Sequence, residues 1–168
     1  MSSYFGRNLR LGHEREAVLD AFFSVRGFDI YPATPEEQRT GIDRWFNGEL
    51  GGRFSVEYKS DSTSQRTGNA FVETVSVDTE DKPGWALTCK ADCLMYYVLG
   101  HEVIYCFRPE VIRAVLLPWR RQYPEVPVQN DGYQTWGLKV PLEEFANAAF
   151  HRINMATWRA DYVAERSA

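Results

Sequence analysis

Three charged residues in one short segment have the types and spacing for metal-assisted chemistry on a phosphate. The segment from Asp43 to Lys59 has the pattern of two strands joined by a glycine-rich turn. Because side chains alternate along a strand, Glu57 and Lys59 share a face, and pairing of the two strands would bring Asp43 beside Glu57. Two adjacent carboxylates repel each other, and a divalent cation relieves that repulsion. The pair predicts a site for a hard cation, Mg2+ or Mn2+.

Lys59 adds a positive charge to this face. It lies two residues beyond Glu57, about 7 Å along the strand, within reach of the same phosphate or water. An ammonium group there stabilises developing negative charge or orients an attacking hydroxide. The Glu-x-Lys spacing alone is common on solvated strands, so the prediction depends on the presence of Asp43.

Helices and strands must position these residues. Helical spacing of apolar residues predicts a helix at 13–25, and period-two patterns predict strands at 42–46, 53–59 and 70–77, arranged as a meander. Further along, we predict the following elements: a short helical piece at 85–90, strands at 93–99 and 103–107, a helix from Pro109 to Pro124, a strand at 135–140 and a helix at 141–150. This order is typical of a mixed α/β layer architecture.

Composition limits the class of protein. The chain has 168 residues, 44% of them hydrophobic, and a net charge of −4, which favours one globular domain and argues against a simple basic DNA-coating protein. No stretch approaches the roughly 18 apolar residues of a membrane span, and residues 1–11 lack a signal-type apolar run. We therefore expect a soluble, cytoplasmic protein. Its three cysteines include no Cys-x-x-Cys pair, which suits a reducing compartment and gives no zinc knuckle.

The constellation resembles a known superfamily. Asp43, followed by Glu57-Tyr58-Lys59 and preceded by a helix with an acidic residue, is similar to the PD-(D/E)xK nucleases, which include restriction endonucleases and Holliday-junction resolvases. Three further segments resemble small phage and bacterial nuclease-like proteins: 67–73 (TGNAFVE), 82–85 (KPGW) and 88–92 (TCKAD). Ile42 stands where the pattern has proline. The resemblance covers about residues 13–99.

The resemblance implies a fold and further site residues. It implies a single restriction-endonuclease-like domain with a central mixed sheet flanked by helices, a core at about 13–107 and a C-terminal extension at 108–168. Members often complete the metal shell with an acidic residue of the first helix, here Glu16, although negative charge also favours a helix N-terminal turn. Glu73 would contact the site from a neighbouring strand, or be a solvated residue or a partner for a lysine.

Substrate contacts are predicted beside this site. Arg66, Asn69 and Lys90 are candidates for binding the nucleic-acid backbone, although Asn69 also suits the turn that follows Gly68. Asp92 is expected to brace its loop. Members of this size often dimerise so that two sites act on two strands, so the resemblance implies a homodimer.

Three interpretations follow for the chain as a whole. The first is a Mg2+-dependent phosphodiesterase, a deoxyribonuclease of the endonuclease type, in which Asp43 and Glu57 bind the metal and Lys59 helps to activate water. The alternative is a nuclease-like fold that binds nucleic acid or protein without cutting. A third interpretation, a structural homodimer, would leave the carboxylates in salt bridges with Arg44, Arg53 and Lys59.

Overall fold

The helices and strands are given by a computed structural model, which describes residues 4–156, with side chains from residue 11 onward. The α-helices are α1 (Tyr4–Ser24), α2 (Pro35–Gln38), α3 (Ser64–Thr67), α4 (Trp85–Thr88), α5 (Pro109–Gln122) and α6 (Leu142–Asn147). The strands are β1 (Phe28–Pro32), β2 (Arg44–Gly48), β3 (Arg53–Asp61), β4 (Asn69–Val77), β5 (Lys82–Pro83), β6 (Cys93–Val98), β7 (Val103–Phe107), β8 (Glu125–Gln129), β9 (Gln134–Pro141) and β10 (His151–Asn154).

These strands form two sheets. The larger sheet has six strands in the order β1-β2-β3-β6-β7-β10, and the smaller has four in the order β5-β4-β9-β8. The larger sheet is mixed, because β3 and β6 run parallel while all its other pairs of adjacent strands run antiparallel. The smaller sheet is antiparallel throughout.

The six-stranded sheet is covered on both faces. One face packs against α1, through residues such as Phe22, Phe46 and Tyr58. The other face packs against the smaller sheet and α4–α6, where Tyr96 and Phe145 are buried. This layering confirms the predicted mixed α/β architecture with a central mixed sheet flanked by helices. No described helix is both long and apolar enough to cross a bilayer.

The hairpin that carries the candidate residues is confirmed. Strands β2 and β3 pair antiparallel, and residues 49–52 between them form the turn, in which Gly48 N–H bonds to the Gly52 carbonyl at 2.9 Å. Asp43 lies just before β2, whereas the sequence predicts it within the strand. Helix α1 also begins nine residues earlier than predicted.

The predicted meander of three strands is wrong. Strand β3 has β6 as its second neighbour, and β4 pairs with β9 in the other sheet. The physical reason is burial: every residue of β6 is buried, as in a central strand with both faces covered, while β4 alternates and has one apolar face to bury. Residues after 107 enter both sheets through β8, β9 and β10, and the last part of the predicted extension, 157–168, lies outside the described residues.

Candidate metal and phosphate site

Asp43 is hydrogen-bonded to the two residues of β3 that flank Glu57. Its backbone N–H donates to the Val56 carbonyl at 2.8 Å, and its carboxylate Oδ2 accepts from the Tyr58 N–H at 2.8 Å. These partners immediately precede and follow Glu57 in the chain. The two carboxylates are therefore brought together, as the hairpin predicts, and Asp43 contributes to the raised pKa of Glu57.

The loop before Asp43 is held by a close approach to the segment after α4. Gly41 has φ +77°, and a Cβ atom there would lie 2.9 Å from the Cα of Cys89. A residue with a side chain would combine backbone strain with a clash against backbone. Glycine at this position allows the loop to place Asp43 beside β3.

Glu57 is almost fully buried, with 5% of its surface exposed. Its Oε1 lies 2.5 Å from the Nζ of Lys59, while its Oε2 is buried and has no hydrogen-bond partner among the described residues. Burial raises the pKa of Glu57 to about 7, with a further contribution from Asp43, although Lys59 opposes the change. A buried oxygen without a donor is an acceptor available to a cation.

Lys59 keeps its proton in this setting. Burial alone would lower the pKa of its ammonium, but Glu57, Asp43 and Glu73 together raise it above the ordinary value. The site therefore combines the charged ammonium group of Lys59 with the carboxyl groups of Asp43 and Glu57 on one face of the larger sheet.

Glu73 approaches from the other sheet. It lies on β4, its Oε1 accepts from the Trp85 N–H at 3.4 Å, and burial raises its pKa while Lys59 lowers it. The prediction that Glu73 lies on a strand next to Glu57 is wrong, because β4 and β3 belong to different sheets. Packing of the sheets nevertheless brings it within electrostatic range of Lys59.

Glu16 is not brought to this site. Its Oε2 forms an ion pair with Arg44 at 3.0 Å, and Arg44 also binds Asp20 at 3.0 Å. The Tyr58 hydroxyl donates to Asp20 at 3.1 Å, and Tyr58 points to the α1 face, opposite to Glu57. The third interpretation of the sequence names Arg44 as a partner for the carboxylates of the site, but the structure pairs it with Glu16 and Asp20 of α1.

The predicted nucleic-acid contacts occupy different places. Asn69 lines a cavity of about 580 Å3 that also includes Lys59 and Glu73. Lys90 is exposed in a second cavity, of about 730 Å3, with Arg39 and Arg113. Arg66 is exposed on α3 and lines neither. The first cavity includes two residues not singled out from the sequence, Phe71 and Lys139.

The carboxylate oxygens of Asp43 and Glu57 are suitable ligands for a hard divalent cation. Both offer carboxylate oxygens, and the unpartnered Oε2 of Glu57 is the chemical feature that such an ion would satisfy. Within residues 4–156 there is no group of three or more His, Cys, Asp or Glu arranged for a metal ion. A site with only two carboxylate ligands is compatible with Mg2+, because this ion commonly binds one or two carboxylates and completes its coordination shell with water and phosphate oxygens.

Comparisons with known proteins give one structural neighbour. No protein-family model matches the sequence, and no curated protein matches it. Among solved structures, the bacterial homing endonuclease I-Ssp6803I is similar, with 22% sequence identity and a TM-score of 0.42. The similarity covers 60% of this chain and 66% of that chain, just under two thirds of its length.

Proposed function

We propose that this protein is a metal-dependent nuclease that hydrolyses phosphodiester bonds in DNA, as an endonuclease. In this proposal Asp43 and Glu57 hold Mg2+, and Lys59 acts on the phosphate or the attacking water. The observation that carries it is the Asp43 carboxylate fixed beside a buried Glu57 that has one unpartnered oxygen. Mg2+, when bound, supplies Lewis-acid stabilisation and a more acidic water.

The chain's own residues have distinct tasks in hydrolysis. Asp43 is positioned before any metal binds, because the Tyr58 N–H already fixes its carboxylate. Glu57 has to lose its proton to act as a ligand, and its pKa of about 7 places that event near neutral pH. Lys59 holds a proton on Nζ and presents a positive charge that stabilises the phosphate as negative charge develops. Glu73 helps to keep that ammonium charged.

A basic cavity supports a phosphate-rich substrate. Arg39, Lys90 and Arg113 line one cavity together with Cys89, the residue against which the loop before Asp43 packs. Cationic side chains at this place suit contacts to flanking phosphates, and such contacts make binding dependent on salt. Because the chain carries a net charge of −4, we expect its affinity for nucleic acid to depend on both the salt concentration and bound metal. This dependence is the first property to measure.

Cleavage assays with matched variants test the proposal. Supercoiled and linear duplex, branched and single-stranded DNA are incubated with the protein and Mg2+ or Mn2+. We expect the parent to cut, and Asp43→Asn, Glu57→Gln and Lys59→Ala to lose at least about 100-fold in rate. Asp131→Asn, an exposed control, should retain the parent rate. Absence of cleavage by the parent on every substrate, or equal rates in all variants, would refute the proposal.

One observation favours the second candidate, a binding module that does not cut. The Lys59–Glu57 ion pair gives one Glu57 oxygen a partner without any metal. Titration calorimetry with Mn2+ separates the two functions. If the protein is a metal-dependent nuclease, the parent should bind Mn2+ and the Asp43→Asn variant should not. A parent protein that binds DNA but releases no heat with Mn2+ would be the binding module.

A further inference from the structure

The cavity beside Lys59 has the composition of a subsite for a nucleobase. It lies between the end of β3 and the smaller sheet, and its volume is about 580 Å3. Besides Lys59, its lining includes Phe71, Lys139, Asn69 and Asn130. Its size is in the range of small-molecule sites, which are typically about 300 to 1,000 Å3.

Phe71 packs over a glycine of the neighbouring strand. It lies on β4, and the distal atoms of its ring lie over Gly137 of β9, where a Cβ atom would come within 2.6 to 2.8 Å of three of them. Glycine at 137 therefore provides the space that the ring occupies. Phe71 is half-buried and belongs to the lining of the cavity. A partly exposed aromatic ring in a cavity lining is suited to stacking with a planar group.

The charges around Phe71 suit a nucleotide. Lys139 is exposed and directly opposite Phe71 in the β4–β9 register, and Lys59 lies along the same cavity. Asp61, an acid in the same lining, already accepts hydrogen bonds from Thr63, Ser64 and Tyr96. Glu73, the other acid in the lining, lies within electrostatic range of Lys59, which is itself paired with Glu57. One aromatic ring and two ammonium groups in a single lining fit a base with neighbouring phosphates.

We propose that this cavity binds an unpaired nucleobase next to the phosphate that is cut. The base stacks on Phe71, and Lys139 contacts the neighbouring phosphate. This inference rests on the proposed nuclease function, and it specifies the substrate as single-stranded or locally unpaired nucleic acid. A base can enter a pocket between two sheets only after it leaves a duplex stack.

Binding without metal tests the subsite separately from cleavage. An eight-nucleotide single-stranded DNA containing 2-aminopurine is titrated in EDTA, beside a hairpin duplex of the same sequence. We expect tighter binding of the single strand, and a loss of about 5- to 150-fold in Phe71→Leu, the range for one stacked base. Phe71→Trp should retain binding, and Phe150→Leu, an aromatic control exposed at the opposite sheet face, should match the parent.

Several results would overturn the inference. These are equal binding by Phe71→Leu and the parent, preference for the duplex, or binding of deoxyadenosine 5′-monophosphate as tight as that of the oligonucleotide. The outcomes also separate the two proposals. Cleavage that does not depend on Phe71 refutes the subsite alone, whereas Phe71-dependent binding by a parent that cuts nothing refutes the nuclease alone.

Discussion

The side chain of Asp43 acts as a backbone acceptor for Tyr58. Its Oδ2 takes the N–H of that residue at 2.8 Å, just beyond the point where regular pairing of β2 with β3 ends at Val56. The carboxylate thus continues the hydrogen bonding along β3 beyond the end of β2, and it lies close enough to Glu57 to raise the pKa of that residue. A residue proposed to bind metal therefore also contributes to the stability of the fold.

Asp43→Ala is predicted to destabilise the protein more than Asp43→Asn. Alanine leaves the Tyr58 N–H without its acceptor, which costs about 1 to 3 kcal/mol of unfolding free energy, whereas the amide oxygen of asparagine can still accept. Urea denaturation measures the difference. Both variants should lose Mn2+ binding, because neither supplies the carboxylate. Equal unfolding free energies for the two would show that the hydrogen bond contributes nothing.

Mn2+ binding is predicted to weaken in acid. Burial and Asp43 raise the pKa of Glu57 to about 7, so the carboxyl is largely protonated below that pH and a proton competes with the metal. We expect the apparent affinity to fall about tenfold for each pH unit below about 7 and to level off above it. Calorimetry at pH 6, 7 and 8 measures this. An affinity that stays constant across the range would exclude Glu57 as a ligand with this pKa.

The same pKa predicts that Glu57 destabilises the metal-free protein as pH rises. Its pKa is higher when folded, about 7, than its ordinary value of 4.5, so the folded state binds more protons and loses stability between these two values. Glu57→Gln removes this loss. Relative to the parent, the variant should gain about 2 to 3 kcal/mol in unfolding free energy between pH 5 and pH 8. Chemical denaturation in EDTA at both pH values is the measurement, and a gain toward lower pH would contradict it.

The part of the site formed by local pairing could be predicted from the sequence. Asp43 and Glu57 are joined by one hairpin with a glycine-rich turn, so strand alternation and the turn together determine which side chains meet. The sequence also predicts that Asp92 braces its loop, and its carboxylate accepts from the N–H and the hydroxyl of Ser55. The approach of Asp43 to Glu57 within one hairpin can be derived from spacing, whereas the Asp92–Ser55 contact joins residues 37 apart in the chain and depends on packing.

The rest depends on packing between distant segments. Glu73 approaches Lys59 because the two sheets pack together. The sequence patterns of β3 and β4 do not show that their sheets will pack in this way. Phe71 and Lys139 become neighbours only through the β4–β9 register. The sequence does not predict the edge strand β8, because Pro127 interrupts its pattern. Proline is tolerated there since the strand pairs on one side only.

Glu16 and Arg44 provide the last prediction, which separates a structural acid from a metal ligand. Arg44 is mostly buried and joins Glu16 and Asp20 of α1 to the sheet, so Arg44→Met should lower the unfolding free energy by about 1 to 2 kcal/mol. Glu16→Gln should cost less and leave Mn2+ affinity unchanged, because Glu16 lies on the sheet face opposite to Glu57. Glu80→Gln, an exposed substitution elsewhere, is the matched control. If Glu16→Gln abolished Mn2+ binding while its unfolding free energy stayed at the parent value, Glu16 would belong to the metal shell and its pairing with Arg44 would be secondary.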